Sequence, residues 1–170
     1  MGGVVNGLNS VLIVDDEMEL LHMLKEGLSL RGYHCETADN AKSAIELLHE
    51  KLVDLIIIDI DLPDMNGFEL TKKVKKLNPN MAVIIMTGFI GDFSYDDAIQ
   101  TGATDFIKKP FTVKELVVRI KQIEAQEELK NKVRELEEFY EMAVGRELRM
   151  IELKKEIERA KKELEKYKNL

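Results

Sequence analysis

The stretch LIIIDIDLPDMNG, Leu55 to Gly67, decides the fold. Leu55, Ile56, Ile57 and Ile58 run without interruption into Asp59, and Asp61 and Asp64 follow at once. An apolar run of this kind is the pattern of a strand buried on both faces, hence of a parallel sheet. Ending such a strand in carboxylates is costly unless positive charge comes to sit beside them. Asp64, Met65, Asn66 and Gly67 read as the turn into the next helix.

Working outward, the same motif recurs. SVLIVDD (Ser10–Asp16) and MAVIIMT (Met81–Thr87) are two more apolar runs that stop at polar residues. YHCETA and TDFIKKP are shorter strand-like pieces, the second ending at Pro110. Between them lie helical patterns. Leu20, Leu21, Leu24 and Leu28 share a face ahead of Gly32. NAKSAIELLHE opens on Asn40 as N-cap, GFELTKKVKKLNP ends at Pro79, and DDAIQTGA is the end of a short helix. Strand and helix alternate five times, so right-handed crossovers put helices on both faces of a parallel sheet. In open sheets of this kind the binding crevice lies at the carboxyl ends of the strands, which is where the polar residues fall.

Composition narrows the class. The 170 residues are 45% hydrophobic with a net charge of -7, which suits one globular domain plus an extension and disfavours a general nucleic-acid binder. The single cysteine, Cys35, excludes an intramolecular disulfide and a cysteine-based zinc site, and reads as a small residue in or near a strand. The N-terminus lacks a basic secretory region and no apolar run is long enough to span a membrane, so a cytoplasmic protein is expected. Residues 1–111 carry 10 basic and 18 acidic side chains, residues 112–170 carry 15 and 14, and that shift marks two architectural units.

The residues just past the strand ends form a constellation. Asp15 and Asp16 follow the first strand, Asp59 ends the third, Thr87 ends the fourth and Lys109 follows the fifth. Three converging carboxylates need a cation, and an oxygen-only donor set favours a hard ion, magnesium above all. With Lys109 such an ion leaves a positive patch for phosphoryl oxygens. A carboxylate there can act as a nucleophile and form an acyl phosphate, and the Thr87 hydroxyl can donate to it. His22, His34 and His49 stand in no ligand spacing and read as structural or exposed.

The order VDD, IIIDIDLPDMNG, MTG and KKPF resembles the receiver domain of two-component response regulators, over about residues 8–122. The resemblance implies a flavodoxin-like, five-stranded parallel sheet of order 2-1-3-4-5. It implies Asp59 as phosphoacceptor, Asp16 as a direct magnesium ligand, Asp15 acting through metal-bound water and the Asp61 backbone carbonyl completing the ligands. Thr87 becomes the switch hydroxyl, Lys109 the ligand of a phosphoryl oxygen and Phe106 the rotating aromatic, with a Lys109–Pro110 peptide that is often cis. The implied phosphodonor is a histidine kinase or phosphotransfer protein, and the chain is a phosphoacceptor rather than an enzyme. Gly88 stands where Ala is commoner, and Asp61 and Phe89 occupy positions that tune phosphoryl lifetime. Two rivals remain at this stage. A magnesium-dependent phosphohydrolase could use Asp61 as general acid, and a coiled-coil adaptor could carry a degenerate receiver as a cap.

After Pro110 the chain has one glycine and no proline. Thr112 and Glu115 form a capping-box pair that opens a fifth helix. Leu129, Leu136, Ala143, Met150, Ile157 and Leu164 recur every seven residues. Val133 and Tyr140 flank them first, then Leu153, Ala160 and Tyr167. A seven-residue repeat with Glu and Lys between argues for a coiled coil, 123–170, expected to pair as a parallel homodimer. A solvated single helix is the alternative, and Gly145, where the seam shifts, is a place for a bend or a hairpin. No DNA-binding or catalytic motif appears in this stretch. The coiled coil is therefore either the output itself or a signalling helix of a longer protein.

Overall fold

The computed structural model describes residues 8–88 and 100–168, and within the last helix the side chains up to 162 apart from that of 160. In chain order the elements are β1 (Ser10–Val14), α1 (Met18–Ser29), β2 (His34–Ala38), α2 (Ala41–Glu50), β3 (Leu55–Asp59), α3 (Gly67–Leu77), β4 (Ala82–Thr87), β5 (Asp105–Lys108) and α4 (Val113–Lys168). The expected short helix ending in DDAIQTGA falls largely outside the described residues, so the predicted fifth helix is α4 here.

All strand pairs are parallel and the order is β2-β1-β3-β4-β5, the flavodoxin-like arrangement. The continuous apolar runs are explained by what each face meets. Val11, Ile13, Leu55, Ile57, Ile84 and Met86 point into a core with Leu21, Leu24 and Leu28 of α1 and Leu116 and Ile120 of α4. Their alternates Leu12, Val14, Ile56, Ile58, Val83 and Ile85 point into a second core with Ala41 and Ala44 of α2 and Leu70 and Val74 of α3. Ile56, Ile57 and Ile58 are wholly buried, and each such side chain contributes about 1.5–3 kcal/mol relative to exposure.

Helix starts follow local chemistry. Asn40 caps α2 by accepting from Ser43 N at 2.8 Å, and Asn66 caps α3 by accepting from Phe68 N at 2.9 Å. Thr112 and Glu115 form the reciprocal box at α4. Thr112 N donates to Glu115 Oε2 at 2.7 Å, and Glu115 N donates to Thr112 Oγ1 at 3.2 Å. Gly32 supplies the positive φ of 93° in the turn from α1 to β2.

Asp64 does something its position in the β3–α3 turn conceals. Its two carboxylate oxygens accept from Ala41 N and Lys42 N, each at 2.9 Å, so it seals the N-terminus of α2. These bonds, that from Ala41 first, hold its carboxyl below the usual range. A negative charge at a helix N-terminus is favourable.

α4 is continuous from Val113 to Lys168 and runs through Gly145 as helix, so the hairpin is not formed. Its first turns, through Ile123, belong to the core beneath the sheet. The chain divides into two compact units, Met1–Gln126 and Glu127–Leu170. In the second, seam residues are bare in the single chain, with Leu136 68% and Tyr140 69% exposed. No helix of the described residues is long and apolar enough to cross a membrane.

The Asp64→Ala variant is expected to melt below the parent at pH 7, by an amount no larger than the roughly 1 kcal/mol of a helix cap because the site is exposed to solvent. A depressed folded pKa gives stability that is present above the unfolded value and lost as pH falls through the folded one. Thermal melts of the two proteins from pH 7 to pH 3 should therefore converge on acidification.

Candidate phosphoacceptor site

Three loops at the carboxyl ends of β1, β3 and β5 bring the predicted residues together. Asp15 directly follows β1 and is 1% exposed. Its Oδ1 accepts from Glu17 N at 2.9 Å, which turns the chain into α1 and leaves Oδ2 facing inward. Asp59 closes β3 and is 6% exposed. Lys109, just past β5, places its Nζ 2.7 Å from Asp15 Oδ2 and 3.0 Å from Asp59 Oδ1. The positive group demanded by the buried carboxylates is therefore this lysine.

The backbone sets that meeting. Lys109 N donates to Thr87 O at 2.7 Å, and Ile60 N donates to Met86 O at 3.1 Å, so β3, β4 and β5 end at one level. The Lys109–Pro110 peptide is cis. Thr87, the last residue of β4, is buried. Phe106 on β5 is half-buried and packs against the core on the α2 and α3 side.

The electrostatics pull in two directions. Burial pushes the Asp59 carboxyl above its ordinary range, Lys109 pulls it back, and the neighbouring Asp15 and Asp61 push it further up. Burial lowers Lys109, but its hydrogen bonds and charge pairing with Asp15 and Asp59 outweigh that and leave it above its usual value. One ammonium does not neutralise the acids around it. Asp15, Asp16 and Asp59 each offer a carboxylate oxygen within 4.8 Å of the others. The donor set is oxygen only, Asp16 is exposed, and the cluster fits a hard divalent cation such as magnesium. Among the described residues no other group of this kind exists, and His22, His34 and His49 are exposed and stand apart from it.

Asp61 is exposed and pairs across the turn with Asn66 in an isolated bridge. Phe89, the other position expected to tune phosphoryl lifetime, lies outside the described residues.

A sequence model of the response regulator receiver domain matches residues 11–121. The chain belongs to that family. Similar proteins include the transcriptional regulatory protein CpxR homolog of Haemophilus influenzae, 35% identical over 116 residues that make up 68% of this chain and 50% of that protein. The response regulator SaeR of Staphylococcus aureus is 32% identical over the same shares of each chain. The chain thus spans about half the length of the curated relatives it matches. A CheY-like receiver domain from Methanospirillum hungatei superposes with a TM-score of 0.69 at 33% identity, covering 73% of this chain and 99% of that one.

Two features of this receiver are not legible from its motifs. The first is Gly67 at the start of α3. A Cβ there would lie 2.2 Å from the Asp59 carbonyl oxygen and 2.9 Å from Ile60 Cα, so the helix start is pressed against the backbone of Asp59 itself. The only signal is the Asn-Gly dipeptide, which reads as a turn. The second is the direct contact of Lys109 with Asp15, which the spacing of the two residues does not reveal.

Gly67→Ala should cost more than an ordinary helix glycine, on the order of 2–4 kcal/mol, because the obstructing atoms are backbone. Urea denaturation measures it, and a change under 1 kcal/mol would mean the two segments separate easily. Lys109→Ala leaves Asp15 and Asp59 buried without their cation, at a cost of about 3 kcal/mol near neutral pH. The Asp59 carboxyl, already raised by burial, then rises further in the folded state. A raised folded pKa gives stability that returns as pH falls through it, so the deficit should shrink between pH 7 and pH 4. A deficit that does not change over that range would refute this account of the pair.

Proposed function

We propose that this chain is a two-component response regulator that accepts a phosphoryl group on Asp59 from a histidine kinase or phosphotransfer protein. The placement of Asp59 at the end of β3, 3.0 Å from Lys109 Nζ, in a chain of the receiver family, carries this reading. A carboxylate oxygen of Asp59 attacks the phosphorus of a phosphohistidine. The new O–P bond forms as the P–N bond breaks, and the imidazole nitrogen keeps the electron pair and takes up a proton. Lys109 is placed to exchange its contact with Asp59 for one with a phosphoryl oxygen. The Thr87 hydroxyl donates to another. Asp15, Asp16 and Asp59, with the Asp61 backbone carbonyl, would hold magnesium. When bound, that ion supplies positive charge against the phosphoryl oxygens.

The receiver, residues 8–122, acts as a phosphoacceptor whose only turnover is loss of its own phosphoryl group. The extension, expected from 123 and separate from the receiver core beyond Gln126, is a coiled coil in which a second copy of the chain covers the bare seam of α4. Exposed pairs such as Lys132 with Glu128 contribute too little to hold an isolated helix of this composition. Phosphorylation repacks Thr87 and Phe106, a two-state element biased by a local change of charge. The unbroken helix α4 passes the change to the coiled coil or to a partner that reads it.

Incubation with a radiolabelled small acyl phosphate tests the site. The parent should take up label only with magnesium present and release it to hydroxylamine, as an acyl phosphate does, while Asp59→Asn stays unlabelled. Magnesium-dependent label on that variant would sink the assignment. In parallel, sedimentation with and without beryllofluoride reads the output, a shift in association or shape meaning that the site drives the helix.

A further inference from the structure

The apolar seam of α4 changes phase once. From Leu136 it steps four residues to Tyr140 and three to Ala143, whereas from Met150 it steps three to Leu153 and four to Ile157. Such a shift locally overwinds or unwinds a supercoil. The positions that would continue the two frames are both charged. Glu147 extends the earlier frame and Arg146 the later one. Helix continues through both, and Leu136, Tyr140, Met150, Leu153 and Ile157 are all exposed in the single chain.

Parallel pairing in register sets each seam residue against its own copy. Tyr140 then meets Tyr140 and Ala143 meets Ala143, so an overfilled layer adjoins an underfilled one. Arg146 meets Arg146 and Glu147 meets Glu147, and like charges placed opposite one another are destabilising. Antiparallel pairing about an axis between Arg146 and Glu147 gives a different set of layers. Ala143 meets Met150, Tyr140 meets Leu153, Leu136 meets Ile157, and Arg146 meets Glu147 on both sides of the axis. The small side chain gains a long one opposite, the aromatic one an aliphatic, and the charges at the shift are matched. This axis is also the place where each frame of one helix lies along the other frame of its partner.

Charges beside the seam do not separate the two. Parallel pairing joins Lys132 with Glu137 and Glu156 with Lys161 but opposes Arg149 to Lys154. Antiparallel pairing joins Glu137 with Lys154 but opposes Lys130 to Lys161. The seam therefore decides. A surface whose adjacent Arg146 and Glu147 complement themselves under a two-fold rotation suits an isologous contact with a second copy.

We propose that two copies of this chain pair antiparallel through α4, with the two-fold axis between Arg146 and Glu147, in place of the parallel arrangement expected from the repeat. The inference rests on the homodimer proposed above and adds its orientation. A nitroxide on Asn131→Cys, in the full-length chain with Cys35→Ser, reads that orientation by electron dipolar spectroscopy. The two labels are then about 31 residue steps apart, or ~46 Å at 1.5 Å per step. A single distance near that value supports the proposal. A distance under ~25 Å, as expected for labels at one level on helices packed 8–10 Å apart, means parallel pairing and overturns the orientation alone. No dipolar signal together with a monomer in sedimentation overturns the homodimer as well.

Discussion

The contact of the Lys109 ammonium with Asp15 and Asp59 is the constraint on which the site depends. Two buried carboxylates at the ends of neighbouring strands repel, and burial without a counter-charge is costly for both. One lysine between them, at 2.7 and 3.0 Å, holds three strand ends in a common geometry. The compensation is incomplete, because burial still keeps the Asp59 carboxyl above its usual range. With Asp16 beside them, the acids outnumber this one ammonium, and the cluster could hold a further cation.

The rest of the domain serves this edge. Registered pairing from β1 through β5 brings the strands to one level, and the bond from Lys109 N to Thr87 O fixes the last of them. Gly67 brings the start of α3 against the back of Asp59, and Asp64, from the same turn, seals α2. One thirteen-residue stretch thus supplies a buried carboxylate, the wall behind it and the cap of a neighbouring helix.

Much of this was legible in the sequence because it is written in local patterns. Uninterrupted apolar runs such as Leu55–Ile58 can be satisfied only by a sheet covered on both sides. Asn40 and the Thr112–Glu115 pair bond to groups within three residues, so their meaning survives without a fold. Asp64 lies in the turn its sequence suggests, and its second role was hidden for the opposite reason. Its partners lie more than twenty residues back, and an acid beside Asn-Gly looks like turn chemistry until α2 is in place. The demand of Gly67 is hidden in the same way, since the obstructing atoms belong to another segment. The change of phase in α4 was visible, but a repeat alone does not say which layers two helices would form.

The alternation of side chains along the strands makes the sheet a partition. By that alternation Asp15, Asp59 and Lys109 stand on the side of α1 and the first turns of α4, in step with Ile13, Ile57 and Ile107. Phe106 packs on the other side, with α2 and α3, and Thr87 follows Val83 and Ile85 toward it. A rearrangement confined to Thr87 and Phe106 is therefore screened from α4 by a layer of backbone. Among the described residues the covalent route from Phe106 to that helix runs along β5 and the short segment from Lys109 to Thr112. That corner of main chain joins a residue of one core to a helix of the other, so a few residues from Lys109 to Thr112 border both.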